Sequence, residues 1–251
     1  MKRRLRLDLA YDGSAYAGWQ MQHNAPTVQE MLERALARIN GDRRVVVHGA
    51  GRTDSGVHAR QQVCDFVLDS PMNDDDIAHA LAKLLPDDIR PLRVGSVDDS
   101  FHAQFSATAK SYRYQLDLSR YGDPLQARYA WHLRKPLDQA AIDAALTWIP
   151  GEKDWSGFAG SKCTVVSKVR DVTDATFDRD GDRGFFHFRA NGFLTYMVRN
   201  LVGTLVYVGL GRLEPEVVAQ MIETQDRALG GPGAPGYGLH LWSVEYGTSL
   251  R

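Results

Sequence analysis

The sequence predicts an α+β chain built as two similar halves, sheet beside sheet, with helices covering one face. Three observations carry that expectation. Residues 4–10 and residues 111–118 both alternate polar and apolar side chains, the period-two pattern of a half-buried strand. The order strand, loop, helix, strands, helix then occurs twice along the chain. No low-complexity linker separates the repeats, so the halves, 1–105 and 106–251, are expected to share a surface. A groove where two such halves meet is the default place for a ligand.

Taken in order, residues 4–10 (Arg-Leu-Arg-Leu-Asp-Leu-Ala) form the first strand, and a glycine-containing loop covers residues 11–19. Thr27-Val-Gln-Glu30 has the capping-box form. Met31, Leu32, Ala35, Leu36 and Ile39 continue on one helical face until Gly41 stops it. Val45-Val-Val47 and residues 62–68 read as the next strands, with residues 50–59 as a loop between them. A second helix is capped near Asn73 and turns Ile77, Leu81, Leu84 and Leu85 inward; Pro86 and Pro91 close this half. In the second half, a Gly-Asp-Pro loop and Trp131 follow the strand at 111–118. Residues 138–149 are helical, ended by Pro150-Gly151. Strands at 168–177 and 184–190 are joined by a hairpin turn at Asp180-Gly-Asp182. Residues 193–207 and 215–224 read as helices, the latter with Pro in its first turn, and a final strand covers 238–246.

Composition narrows the function classes. The 251 residues are 43% hydrophobic and 24% charged, ordinary for a folded soluble chain. The longest apolar run, 193–210, is broken by Arg199-Asn200 and reads as a buried helix rather than a membrane span. No signal-peptide core follows the basic N-terminus. Cys64 and Cys163 are isolated, so neither zinc nor a disulfide framework is indicated and a reducing cytoplasm fits. The formal net charge of −1 does not by itself suggest nucleic acid. Basic residues nevertheless group at Lys2-Arg-Arg4, at Arg43-Arg44 and at Lys162, Lys168 and Arg170. The acids group elsewhere, at Asp74-Asp-Asp76, Asp87-Asp88 and Asp98-Asp99. Such segregation allows a local basic surface on a neutral chain, and it equally describes a solvated exterior.

The segment Gly49-Ala-Gly-Arg-Thr-Asp-Ser-Gly-Val-His58 stands out. Three glycines in eight residues permit unusual backbone angles and close approach of a substrate. Arg52 and Asp54, two apart, are placed to converge, the guanidinium favouring an ionised carboxylate. On residues alone the loop has two readings, a catalytic centre or a tight turn with a structural ion pair, and the turn is the commoner of the two.

The loop is similar to the active-site loop of TruA-type tRNA pseudouridine synthases, and other blocks resemble the same family in order and spacing. Tyr11-Asp-Gly, Gly18-Trp-Gln and Thr27-Val-Gln match its N-terminal pattern. Phe101-His-Ala-Gln-Phe-Ser-Ala107 followed by Lys110-Ser-Tyr-Arg-Tyr114 resembles the middle block. Gly192-Phe-Leu-Thr-Tyr-Met-Val-Arg-Asn200 and Ala234-Pro-Gly-Tyr-Gly-Leu-His-Leu241 resemble the C-terminal blocks. Gln104 departs from the arginine common at its place, Thr195-Tyr196 from the more usual Tyr-His, and Tyr16 from phenylalanine.

The resemblance implies a pseudouridine synthase fold: two similar α+β halves in an extended antiparallel sheet with a central active-site cleft. It implies an isomerase that converts uridine to pseudouridine in the anticodon stem-loop of tRNA, at uridines 38, 39 and 40. It also implies a homodimer needing neither cofactor nor metal. Asp54 matches the residue involved in breaking the C1′–N1 bond, either by adding to the sugar or by removing its 2′ proton. Tyr112 matches the tyrosine that lies against the target base, its alternative being a half-buried strand residue paired with Tyr114. Arg199 matches the arginine beside the catalytic aspartate, its alternative being a structural ion pair at a helix end. Val57 and Leu241 are expected as apolar walls. His58 and His102 are candidates for phosphate contact or for satisfied loop histidines. The rival functions are a synthase acting on a different uridine, a non-catalytic tRNA-binding or folding factor of the same fold, and a base-hydrolysing glycosidase. For the last, no motif places a second carboxylate.

Overall fold

The computed structural model describes residues 2–161 and 163–247. Lys162, named above among the basic residues, and residues 1 and 248–251 at the ends of the two expected halves lie outside the described residues. The chain is mixed α+β and divides into two compact units. The first takes everything up to Thr108 together with the C-terminal segment from His240; the second is Ala109–Leu239.

In the first unit, β1 (Lys2–Tyr11) lies between β3 (His58–Asp69) and β4 (Ile89–Ser96), antiparallel to both. The two-residue β2 (His48–Gly49) is antiparallel to β3, and β10 (Leu239–Tyr246) joins β3 in parallel through His240↔His58 and Leu241↔Ala59. Leu5, Leu7 and Leu9 on β1 are fully buried, as their alternation requires. Helix α1 (Val28–Ile39) starts at Thr27, whose hydroxyl accepts the Glu30 N–H, and α2 (Asp74–Leu84) starts at Asn73, which accepts the Asp76 N–H at 2.8 Å. The two helices pack on each other.

In the second unit, β5 (Ala107–Asp117), β9 (Arg183–Ala190), β8 (Val169–Asp180) and β7 (Gly151–Asp154) form consecutive antiparallel pairs. The short β6 (Trp131–His132) runs parallel to β5. Gly181, at φ +56°, turns the β8–β9 hairpin where the sequence places it. Helix α3 (Gln139–Leu146) packs on α4 (Met197–Gly209), and α5 (Val217–Thr224) follows.

Several expectations need correction: Leu84, expected to face inward, is exposed, and four strands, β2, β4, β6 and β7, were not anticipated. Val45-Val-Val47 is not a strand. Its alternation is real, since Val45 and Val47 are buried and Val46 is exposed. The backbone, however, is satisfied by side chains of α1: the Val47 N–H donates to Glu33 Oε1 at 3.2 Å, and Gln29 Nε2 donates to the Val47 carbonyl at 3.0 Å. Helix α4 begins at Met197 rather than near residue 193, because Tyr196 adopts a left-handed conformation at φ +65° that ends the preceding extended segment. β4 runs through Pro91, a residue read as a terminator. Among the described residues β4 is an edge strand paired with β1 alone, and the register slips between Asp8 and Leu9, a setting in which a strand tolerates proline. β7 likewise begins at Gly151 itself, directly after Pro150, where only a helix stop was expected.

Candidate active site

The loop from Gly49 to His58 is held by the segment at residues 11–19, and glycines on that segment make this possible. Gly18, at φ +97°, presses its backbone against the loop so closely that a Cβ there would lie 2.4 Å from the Thr53 oxygen and 3.0 Å from the Asp54 carbonyl carbon. Gly13 meets the Val57 carbonyl in the same way, at 2.0 Å. Backbone bonds complete the clamp: Trp19 N–H donates to the Thr53 oxygen at 3.0 Å and Gly56 N–H to the Tyr16 oxygen at 3.3 Å. The turn itself is closed by Val57 N–H on the Asp54 oxygen at 3.1 Å, with Gly56 at φ +73°.

Side chains fix the rest of the loop. The Tyr11 hydroxyl bonds the Thr53 hydroxyl at 2.8 Å, and Gln62 Nε2 donates to the Gly51 oxygen at 2.9 Å. Burial drives the Tyr11 hydroxyl well above its ordinary range, so it remains a neutral hydrogen-bonding group. The buried Trp19 indole packs against Gly49, where a Cβ would sit 2.6 Å from the ring. Thr53, Val57 and His58 are buried around the turn, while Asp54 is half-buried and Arg52 exposed. The loop is therefore a tight turn, as one reading had it, but one whose carboxylate and guanidinium are left reachable.

His58 belongs to this scaffold. It is 3% exposed, its Nδ1 lies 3.0 Å from both the Gly13 nitrogen and Asp12 Oδ1, and its ring stacks on His240 at 4.8 Å. Leu241, next to His240, is fully buried, as is Val57. The clamping roles of Gly13, Gly18 and Tyr11 were not anticipated from single residues; only the Tyr-Asp-Gly and Gly-Trp-Gln blocks signalled them.

In the second unit, Tyr112 sits on β5 opposite Phe188 and is buried, meeting Phe193 edge-on at 5.1 Å and 89°. Tyr114, two residues on, is fully buried and donates to the Pro235 oxygen at 2.9 Å, with Gly238 packed against its ring. Arg199 lies in the first turn of α4. A cation there is disfavoured by the helix dipole, yet it is held by design of its surroundings. Its Nε donates to the Ala234 oxygen at 2.7 Å, its own carbonyl accepts from Ala234 N–H at 2.9 Å, and its guanidinium covers the Tyr196 ring at 4.5 Å. Gly203 lets the segment at 230–235 approach the helix, since a Cβ there would lie 1.8 Å from the Pro232 oxygen. The two C-terminal sequence blocks are thus one packed unit around Arg199.

Other clusters do not read as the reaction site. A cavity of about 480 Å³ is lined by Asp117, Arg120, Tyr121, Asp182 and Arg183 among others. Its lining on β5 starts at Gln115, three residues from Tyr112, roughly 10 Å along the strand. Burial works against ionisation of Asp117, but the Ser119 hydroxyl and the Asp123 and Ser119 N–H groups outweigh it and hold the carboxyl below its usual range. His48, Asp65 and His102 bring possible ligand atoms within 4.8 Å of one another. Arg4 already holds Asp65 Oδ2, the Ala103 N–H takes Oδ1 at 2.8 Å, and the Gln104 N–H takes His102 Nδ1 at 3.1 Å. These bonds make the cluster structural. The N-terminal basic group is also partly neutralised, since Arg3 pairs with Asp74 at 3.1 Å and Arg4 with Asp65.

A family model described as tRNA pseudouridine synthase matches residues 9–106 and 146–247, taking in the clamped loop, Arg199 and the segment that holds it. The chain belongs to that family. It is similar to tRNA pseudouridine synthase A of Streptococcus sanguinis, 40% identical over 245 residues that cover 97% of this chain and 98% of that one. The counterpart from Thermoanaerobacter sp. (strain X514) is 38% identical over 97% of this chain and all of its own length. The chain is accordingly an isomerase that forms pseudouridine in tRNA. Among the described residues no helix is long and apolar enough to cross a membrane.

Proposed function

We propose that Asp54 is the residue through which this synthase breaks the C1′–N1 glycosidic bond of its target uridine. The observation that carries the proposal is the clamp. Two glycines, a tyrosine and a glutamine fix the backbone on both sides of Asp54, yet its side chain is left half-buried and the adjoining Arg52 exposed. A turn kept only for structure has no need of such fixing around an accessible carboxylate. Rigid placement is what a reacting group requires.

In the proposed reaction the carboxylate adds to C1′ or removes the 2′ proton, and the N1 bond electrons leave with the uracil. The freed ring turns, C5 bonds to C1′, the C5 proton is lost and N1 ends protonated. Atoms and charge balance without an external oxidant or group donor. Arg52 supplies positive charge on the same loop. Tyr112 is assigned to support the extruded base, Arg199 to meet negative charge on the substrate side, and Val57 and Leu241 to provide apolar walls. The target positions are uridines 38, 39 and 40 of the anticodon stem-loop, and the working form is a cytoplasmic homodimer.

Asp54→Asn preserves size and removes the charge both routes need. The expected result is normal folding, tRNA affinity within a few-fold of wild type, and loss of tritium release from C5-labelled uridine by several orders of magnitude. Release at the wild-type rate would return the loop to a purely structural turn. Mapping pseudouridine in tRNA from cells with and without the protein tests the positions; loss at sites other than 38–40 would assign a different uridine.

A further inference from the structure

Residues 101–106 form a rigid loop that shows one large ring to solvent. Phe101 and Ala103 are buried, and Phe101 packs on Tyr246 at 5.1 Å. The Ala103 N–H is held by the fully buried Asp65 at 2.8 Å, and its carbonyl accepts from the Tyr246 hydroxyl at 2.7 Å. His102 and Ser106 bond each other twice: the Ser106 N–H donates to the His102 oxygen at 2.9 Å, and the His102 N–H donates to Ser106 Oγ at 3.1 Å. A loop pinned this firmly has no packing reason to expose a phenylalanine, yet Phe105 is 77% exposed. Its ring rests on His102 at 4.4 Å, and His102 stacks on His48 at 5.0 Å with planes 23° apart.

We propose that Phe105, backed by the His102–His48 stack, is a platform on which an unpaired nucleobase of the tRNA stacks, apart from the target uridine. Aromatic and histidine rings are the surfaces on which unpaired bases stack, and a ring already fixed in place loses little freedom when it does so. A protein-docking patch needs several large apolar side chains together. Here the ring rests on one imidazole, His102, which is itself stacked on a second, His48, and its chain neighbours are Gln104 and Ser106. The platform adjoins the start of the Asp54 loop, since His48 directly precedes Gly49, and lies away from its far end at His58. Asp65, which pins the loop, is seven residues along β3 from His58, roughly 23 Å. The inference rests on tRNA being the substrate and not on the role of Asp54.

The test compares Phe105→Ala and Phe105→Trp in the full-length protein with unmodified tRNA transcript. Because the ring is exposed, both variants are expected to melt like wild type. Phe105→Ala should weaken tRNA binding about tenfold, within the range for one stacked base, and leave the single-turnover rate at saturating tRNA unchanged. Phe105→Trp should retain affinity, and its added fluorescence should be quenched by tRNA. Unchanged affinity in the alanine variant, or an unquenched tryptophan, would overturn the proposal. A shift in sedimentation of Phe105→Ala with unaltered tRNA affinity would also overturn it, giving the face to a second copy of the chain. Loss of rate without loss of affinity would place the ring in the reaction instead.

Discussion

Replacing Gly18 by alanine should disable the enzyme although Gly18 carries no functional group. An added Cβ would lie 2.4 Å from the Thr53 oxygen, against about 3.4 Å for ordinary contact, so the two backbones must part by about 1 Å. The neighbours are backbone atoms of Thr53, Asp54 and Ser55, none of which can rotate away. A displacement of about 1 Å at a reacting group costs on the order of 100-fold in rate. Alanine at φ +97° adds about 1–2 kcal/mol of backbone strain. The bond from Trp19 N–H to the Thr53 oxygen adds about 1 kcal/mol if broken. A loss of 2–3 kcal/mol would lower the melting temperature by roughly 4–12 °C. Gly41→Ala supplies the control: its φ of +64° is also left-handed, with less strain than +97°, and nothing lies within 4 Å of the added Cβ. Single-turnover tritium release at saturating tRNA, below both melting transitions, separates the effects. Gly41→Ala should be slightly less stable and fully active, and Gly18→Ala about 100-fold slower. A Gly18→Ala rate within threefold of wild type would refute the view that this clamp positions Asp54.

Two further predictions concern charge. Burial, helped by the neighbouring Arg170, lowers Lys110 from its usual 10.5 to about 8. Below pH 8 the lysine is charged in folded and unfolded chains alike and the cost of burying that charge is fully present. Between pH 8 and 10.5 the unfolded chain holds more protons, so this group's contribution to stability rises with pH. Lys110→Met should therefore raise stability at pH 7 by about 1 kcal/mol, allowing for solvent screening, and its advantage should shrink by pH 10 in thermal melts; an equal advantage at both pH values would count against the assignment. Separately, tRNA affinity should fall steeply with rising salt, since phosphate contacts release counterions; a flat dependence in filter binding would exclude recognition through phosphates.

Much of the fold was legible because local chemistry and tertiary structure agree. Thr27 and Asn73 cap the helices their sequences announce, β1 buries its leucines, and Gly181 turns its hairpin. Where local pattern failed, a distant group had taken over. Val45-Val-Val47 looks like a strand until Gln29 and Glu33 claim its backbone. Pro91 looks like a terminator until β4 proves to be paired only with β1. The left-handed Tyr196 has no local signal at all; Gly160 makes room for its ring, 2.8 Å from where a Cβ would be. The candidate site follows the same division. Three glycines flagged the Asp54 loop, but Tyr11, Gly13 and Gly18 act across some forty residues of sequence, a separation that no spacing rule reads.

The same division shows in how the first unit keeps the Asp54 turn in place without burying it. A strand ladder would have satisfied the loop's backbone, but only by laying another chain beside Asp54. Buried polar side chains and single backbone bonds do the work instead: Gln62 donates to the Gly51 carbonyl, Tyr11 bonds the Thr53 hydroxyl, and the Trp19 N–H donates to the Thr53 carbonyl. Each is an obligatory bond, because a buried donor or acceptor left unmade costs about 1–3 kcal/mol. The residues that hold the loop are therefore different from those proposed to react, and losing either kind is expected to lower turnover. An activity screen alone cannot separate them. Asp54→Asn can, because it removes a charge on the reachable face and leaves every bond of the clamp in place.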